Sequence, residues 1–475
     1  MKWSVPALLL ALSTPAAAQV ESALLSKVTF NLTNPGGKSL AMGGAFTAIA
    51  DDATAAIANP AGLGLLSSVE LGVSAKRSDD VIGLVTARST ATGSLVTPYP
   101  EVRAVNSDIS ARASGVEFAG VVIPLSRRLV AAVSYAENLR FEGDPGSEGY
   151  SYIELRDNRS GGTTRRDFLY EYREFGAVSL RNRLLGLSVA YRASERLRLG
   201  AGLTLNRMEL DLLGDAGGPH RIVNRTYITA TQVDTRTATM SIQDLDGSTP
   251  GFLVGLHADL LPDGKLTAGA VYRQTGKANG RLVLGGDIPP TLAGQESRPF
   301  GARVPRDAAV GLAAQPFPGL TVAAEAQWIA YGDFIDRSLP TVSYAGFAAP
   351  PSGAFVRDLL ATMAPASDVV VPRVGVEYVA TSGDLLLAFR LGYHREPARG
   401  VTADLVATDT PSGTEFDIVD PPFSGSVRTV YDGGEGDDRF TGGLGATVSR
   451  RLSFDLAFDV GRASRVLSAS VFYRF

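Results

Sequence analysis

The sequence predicts an all-β protein: a 14-stranded antiparallel transmembrane β-barrel with an N-terminal plug. Three observations carry this reading. Strands alternate with a two-residue period and keep one apolar face, short turns alternate with long connections, and the strand count is even. The composition permits it. Of 475 residues, 45% are hydrophobic and 20% charged, with 52 Gly, 26 Pro, three His and no Cys. Without cysteine there is no disulfide, no thiol nucleophile and no thiolate-held metal or iron–sulfur cluster. Histidines as scattered as His220, His257 and His394 leave little for acid–base catalysis or metal ligation. A formal charge of −4 offers no field for nucleic acid. The expectation is a protein that is not an enzyme, with no cofactor, no metal and no nucleic-acid partner.

The chain opens on a basic Met1-Lys2, an apolar run from Val5 to Leu12, and Ala16-Ala17-Ala18-Gln19. This order predicts a signal peptide over 1–18, cleaved after Ala18. The apolar run is too short to span a bilayer. Export of a cysteine-free chain fits a bacterial envelope, and the strands then argue for the outer membrane.

The strand period is cleanest near the end. Leu452, Phe454, Leu456, Phe458 and Val460 alternate with Ser453, Asp455, Ala457 and Asp459. Successive strand side chains point to opposite faces, so one face is apolar and the other polar. Leu385 to Tyr393, Leu320 to Trp328 and Leu197 to Leu205 read the same way. Strands are expected over 68–77, 113–123, 129–141, 180–192, 196–212, 250–261, 265–275, 304–315, 319–332, 371–381, 384–396, 437–448, 452–461 and 465–475. Most of these match the 9–11 residues that a tilted strand needs to cross a membrane. Closure into a barrel removes the sheet edges that lipid would leave unsatisfied.

Short turns are expected at Pro124 to Arg128, Ala193 to Arg196, Pro262 to Lys265, Gln315 to Gly319, Thr381 to Asp384 and Ser449 to Arg451. Long polar connections lie between them, at roughly 78–112, 142–179, 213–249, 276–303, 333–369 and 397–436. In outer-membrane barrels these are periplasmic turns and extracellular loops. Tyr191, Tyr272, Trp328, Tyr378, Tyr393 and Tyr473 fall near strand ends, where interfacial aromatic girdles belong. The chain ends on Tyr473-Arg474-Phe475, an aromatic terminus on an alternating strand. Tyr473 and Phe475 therefore resemble the terminal signal read by the barrel-assembly machinery.

Residues 19–66 behave differently. They are rich in small residues, among them Gly43, Gly44, Ala45, Ala48, Ala50, Ala53, Ala55 and Ala56, and lack sustained alternation. Asp51 and Asp52 would be costly against lipid and acceptable in a polar lumen. A compact plug accounts for these features; a soluble periplasmic extension is the other reading. Pro60 fixes its own φ and steers Asn59 away from the helical region, which suits a rigid elbow.

The same segment carries a family resemblance. A Gly-rich start, Ala50-Asp51-Asp52-Ala53 and Asn59-Pro60-Ala61-Gly62-Leu63 resemble the N-terminal region of the FadL/TodX family of outer-membrane transporters for long-chain fatty acids and hydrocarbons. The resemblance implies a hatch over 19–66, a barrel over 67–475, and Gly43, Gly44, Asp51, Asp52, Asn59, Pro60 and Ala61 as hatch or gate residues. It further implies passive uptake of a hydrophobic small molecule, with hatch rearrangement and sideways release into the membrane. In the family a break in the third strand supplies the side opening. Here Leu129 to Phe141 has no Gly or Pro, and only Glu137 and Asn138 interrupt its pattern. Related PorV-like barrels share the motif and imply the alternative, a non-transporting secretion accessory or scaffold.

Other motifs carry no chemistry. Gly37-Lys38-Ser39 has the tail of a phosphate-binding loop, but Leu32 stands where its first glycine belongs. Gly433 to Asp438 matches a single calcium β-roll repeat, an architecture that needs several. One long connection is apolar. After Ser352, Phe355, Leu359, Leu360 and Met363 fall at helical spacing and Pro365 ends the run, which predicts a helix. With Phe347 these residues are candidates for capturing a lipid-like ligand; packing against neighbouring loops is the competing reading. Arg156, Arg159, Arg165 and Arg166 are placed to meet lipopolysaccharide phosphates or a carboxylate headgroup.

Overall fold

A computed structural model describes residues 34–83, 87–93, 104–105, 108–142, 149–157, 166–216, 220–224, 233–234, 238–243, 246–261, 264–286, 297–334, 342–348, 354–364, 368–397, 401–408, 424–431, 436–462 and 464–475. The expected signal peptide and the first part of the expected plug, 19–33, lie outside the described residues.

Fourteen strands build the wall. They are β1 (Glu70–Gly83), β2 (Asp108–Pro124), β3 (Leu129–Glu142), β4 (Arg166–Arg192), β5 (Leu197–Ala216), β6 (Asp246–Asp259) and β7 (Leu266–Thr275), followed by β8 (Asp307–Phe317), β9 (Leu320–Ile329), β10 (Val369–Ser382), β11 (Leu385–Glu396), β12 (Asp437–Val448), β13 (Leu452–Val460) and β14 (Ser464–Arg474). Each pairs antiparallel with the next, and β1 pairs with β14 from Glu70↔Arg474 to Asp80↔Ser464, so the sheet closes on itself.

Alternation decides what each face meets. On β13, Phe454, Leu456, Phe458 and Val460 stand exposed, while Asp455, Ala457 and Asp459 are buried on the inner side. Among the large hydrophobic side chains described, Leu203 on β5 and Leu391 on β11 are the most exposed of their strands, at 68% and 70%. An exterior of exposed Leu, Val and Phe around a closed ladder is a lipid-facing band, because in hydrocarbon only backbone pairing satisfies N–H and C=O groups. Tyr191, Tyr378 and Tyr473 sit on this outer face toward the short-turn end. Tyr393 packs tilted against Phe440 toward the other end, with ring centroids 5.5 Å apart. The short turns lean on left-handed glycines: Gly319 and Gly383 have φ of +79° and +60°.

Two expectations are corrected. Parts of the long connections are strand rather than coil: β4 already begins at Arg166 and β5 runs on to Ala216. Ala238–Gln243, Ala278–Gly286 and Ser297–Ala302 add further pairs above the wall. Above the bilayer a strand no longer needs an apolar outer face, so hydrophobic alternation fades while backbone pairing continues. The predicted helix after Ser352 is the strand Ala354–Ala364, paired with Val342–Ala348 on one side and Val401–Thr408 on the other. A short isolated helix is marginal in water, whereas this segment gains ladder bonds on both edges. The spacing of Phe355, Leu359, Leu360 and Met363 therefore makes no helical stripe.

Residues 34–66 lie inside the barrel. They form two short helices, α1 (Gly37–Ala41) and α2 (Ala55–Ala58), and a 3₁₀ turn at Pro60–Leu65. Phe46, Ile57, Leu63 and Leu66 pack with Phe118, Val122, Val130, Leu184 and Phe472 of the wall in one apolar cluster. The wall meets the segment with glycines. A Cβ on Gly200 would fall on the Ala61 amide, one on Gly255 on the Asn59 side chain, and one on Gly392 on the Gly43 amide. Part of the glycine excess thus lets two backbones touch.

Candidate functional site

The segment is held by a ring of inward charges that read its backbone. Glu325 of β9 accepts the Phe46 and Thr47 amides at 3.0 and 2.8 Å. Glu70 of β1 accepts the Ala53 amide at 2.6 Å and pairs with Arg474. Arg273 of β7 donates to the Ala58 carbonyl and to Asn34 Oδ1, both at 2.8 Å, and bonds Asp307 at 2.7 Å. Arg192 of β4 donates to the Gly64 and Leu66 carbonyls. Thr441 and Ser188 donate to the Ala41 and Ala56 carbonyls. Helix and turn ends leave orphan amides and carbonyls, and here the wall supplies their partners.

The predicted gate residues occupy this interface. Gly43 and Gly44 have φ of +67° and +79°. The Gly43 carbonyl accepts from Arg373 at 3.3 Å, and a Cβ on Gly44 would strike that guanidinium. Asn59 joins three elements: its amide donates to the Thr47 carbonyl at 2.9 Å and to Leu256 of β6 at 3.0 Å, while Oδ1 accepts the Ala61 amide. Pro60 opens the 3₁₀ turn, and Ala61 lies against Gly200. Asp51 pairs with Lys38 at 2.9 Å, so the lysine of the rejected phosphate-loop motif is an internal tether. Lys38 also lies 3.9 Å from Glu377, which bonds Arg390 at 2.6 Å, and Arg390 reaches Asp455 at 2.5 Å. Burial disfavours the charged lysine, but Asp51 and Glu377 outweigh it and raise its pKa. For Asp51, burial is likewise outweighed, by Lys38, and the carboxyl is lowered. Asp52 differs. Buried, and beside Asp51 and Glu70, its carboxyl is pushed up to about 7, while Thr54 donates to it from both amide and hydroxyl.

Glu325, Arg390 and Asp455 fall on the polar parity of the alternating strands around Leu320, Leu385 and Leu452, and Glu70, Arg273 and Arg373 join them at the site. A charge at the inward parity of a wall strand was the available signal. Replacing Glu325 with Leu strands two amides, and should loosen the seat of the segment by about 3 kcal/mol. Bursts of ion conductance more frequent than in the wild type at the same pH would register it; an unchanged trace would mean the bonds hold nothing.

Among the described residues, the wall is incompletely paired between β2 and β3. β2 and β3 pair only from Phe118↔Ala136 to Pro124↔Val130. Beyond that point, among the described residues, β2 pairs with β1 and β3 with β4. The β3–β4 register also shifts between Glu137 and Leu139, leaving Asn138 as a bulge that accepts from Asn182 at 2.7 Å. On the inner side a cavity of about 60 Å³ reaches this edge, bounded by Ile57 of the segment, Lys76, Glu117, Glu137, Asn138 and Leu253 among others. Here the third strand, without Gly or Pro, carries a bulge at Asn138 and an unequal pairing with its two neighbours.

At the other sites, Phe475 is exposed, bonds the Val69 carbonyl through its amide at 3.0 Å, and meets Tyr473 edge-on at 4.9 Å. The backbones of Phe347, Phe355, Leu359, Leu360 and Met363 lie in the outer five-stranded sheet; their side chains are outside the described residues, as are those of Arg156, Arg159, Arg165 and Arg166.

Fold and site together define a transmembrane β-barrel whose lumen holds its own N-terminal segment and whose β2–β3 seam is paired over only part of its length. Among solved structures, the chain is similar to the toluene transporter TbuX of Ralstonia pickettii, at 16% identity and TM-score 0.53, over 94% of this chain and 100% of that one. It is also similar to a deltaS2S3 mutant of the TodX monoaromatic hydrocarbon channel (17%, TM-score 0.52, 94% and 99%) and to the CymD monoaromatic hydrocarbon channel (16%, TM-score 0.50, 94% and 99%). No family model and no curated protein matches the sequence. The resemblance carried by residues 36–65 thus extends to the fold of nearly the whole chain.

Proposed function

We propose that this protein is a bacterial outer-membrane channel for passive uptake of hydrophobic small molecules, long-chain fatty acids or hydrocarbons. In this reading residues 19–66 are the hatch, and the ligand leaves sideways between β2 and β3. One observation carries it: the cavity above the inserted segment ends at the stretch of wall where those strands are unpaired. A water-filled pore needs an open lumen; a lateral exit needs a plug below it and a break beside it, and the inserted segment and the partly unpaired β2–β3 seam support that reading. At about 60 Å³ the cavity is far below the roughly 300–1,000 Å³ of a ligand pocket, so binding requires the segment or the wall to move. Asn59 and the glycine pair Gly43-Gly44 are where that movement begins, because each couples the segment to the wall. Phe347 and the apolar residues of Ala354–Ala364 are the outer capture surface, lipopolysaccharide surrounds the outer strands, and Tyr473 and Phe475 serve the assembly machinery.

The test is native mass spectrometry with lipid extraction on protein from outer membranes. The expected result is a co-purified fatty acid or hydrocarbon displaced by added long-chain fatty acid. A lipid-free barrel carrying a stoichiometric protein partner would replace this reading with the PorV-like accessory.

A further inference from the structure

A gap in a barrel wall exposes backbone groups that lipid cannot satisfy. Between β2 and β3 one side chain spans it. Arg140 Nη1 donates to the carbonyl of Ser114, 2.7 Å away on the facing strand. The same guanidinium is anchored on its own strand, bonding Glu142 at 3.0 Å and lying 3.6 Å from Glu137. Glu137 is fixed in turn by Arg181 at 2.7 Å. The facing strand leaves room: a Cβ on Gly115 would sit 2.9 Å from Arg140 Nη1. Beyond Phe118↔Ala136, where a fully paired wall would continue its run of backbone pairs, the bond found here among the described residues is this charge-assisted one on a partly exposed arm.

We infer that Arg140 is the gating residue of the side exit, a bolt anchored on β3 and seated on β2. The inference rests on the lateral-release reading above. A ladder of backbone bonds opens only with the barrel, whereas one side-chain bond opens by rotation about the arginine stem. Its release leaves no unpaired charge, because Glu137 and Glu142 keep the guanidinium neutralised. The seat on β2 is a backbone carbonyl, so opening breaks no ion pair.

The experiment follows radiolabelled oleate into cells with intact outer membranes that express the full chain, beside cells lacking it. Arg140→Met keeps the stem and removes the bond; uptake should rise several-fold. Because the chain has no cysteine, a Ser114→Cys, Arg140→Cys variant can be bridged specifically by a reducible bis-thiosulfonate reagent. Bridging should bring uptake down to the level of cells without the protein, and reduction should restore it. Heat-modifiable migration on gels checks that each variant is a folded barrel. If uptake is above background in the wild type but unmoved by either change, the bolt is wrong and the channel stands. If wild-type cells take up no more than cells lacking the chain, the channel reading fails and the bolt with it.

Discussion

Deleting residues 19–60 should leave a barrel that assembles and conducts ions at least an order of magnitude better than the full chain. The two halves of this expectation have separate physical grounds. Assembly survives because the ring closes through β1 and β14, and no wall ladder uses the inserted segment. The charges that hold the segment, among them Glu70, Arg273, Glu325 and Arg373, would face water once the lumen opens. Their partners are then replaced rather than lost, and desolvation costs incurred in the full chain are relieved. Conductance rises because most wall strands place polar or charged side chains on the inner face, as in a water-filled porin. Single-channel recording in planar bilayers reads the effect, with heat-modifiable migration on gels as the assembly check. A folded, truncated barrel with unchanged conductance would show that residues 34–60 do not block the pore, and the hatch assignment would be withdrawn.

The wall of this fold was legible because lipid imposes a simple rule. Each spanning strand must present apolar side chains outward, so Phe454, Leu456 and Phe458 announce their face and Asp455 and Asp459 announce the other. Where lipid ends the rule ends, and so did the reading: Arg166 to Ser179 forms strand without hydrophobic alternation, and Ala354–Ala364 is strand where its spacing suggested a helix. The inserted segment was legible by composition, since small residues without a period suit confinement. Its contacts were not. Glu325 meets Phe46 and Thr47 across some 279 positions of chain, and nothing in either segment names the other. Nothing in the sequence marks wall glycines such as Gly200 and Gly255, and only the approach of Ala61 and Asn59 explains them. Glu137 and Asn138 interrupt the pattern of the third strand, but the unpaired edge depends on β2 ending its partnership with β3 at Phe118, a property of two strands together that neither sequence states.

Acidity should tighten the hatch over the window from about pH 4 to about pH 7. Asp52 has an ordinary carboxyl value of 3.8 when free and about 7 when the segment is seated. Burial is the main cause, with Asp51 and Glu70 adding repulsion. The seated state therefore holds one more proton than the released state throughout this window. Seating then weakens as pH rises, by about 1.4 kcal/mol per pH unit, and by at most about 4 kcal/mol in total. Above pH 7 the loss is complete and the dependence flattens. Asp51 acts with the opposite sign: its lowered value makes the Lys38 pair a contribution present above pH 3.8 and lost below it, so the two effects do not overlap. Thr54 donates to one oxygen of Asp52 through both amide and hydroxyl, which leaves the other oxygen to carry the proton. Asp52→Asn keeps the acceptor for Thr54 and removes the charge. The wild type should show fewer conductance bursts at pH 5 than at pH 8, while the variant stays quiet at both. Equal slopes in the two proteins would place the pH response elsewhere, and a wild type quieter at pH 8 would reverse the sign and overturn the account of Asp52.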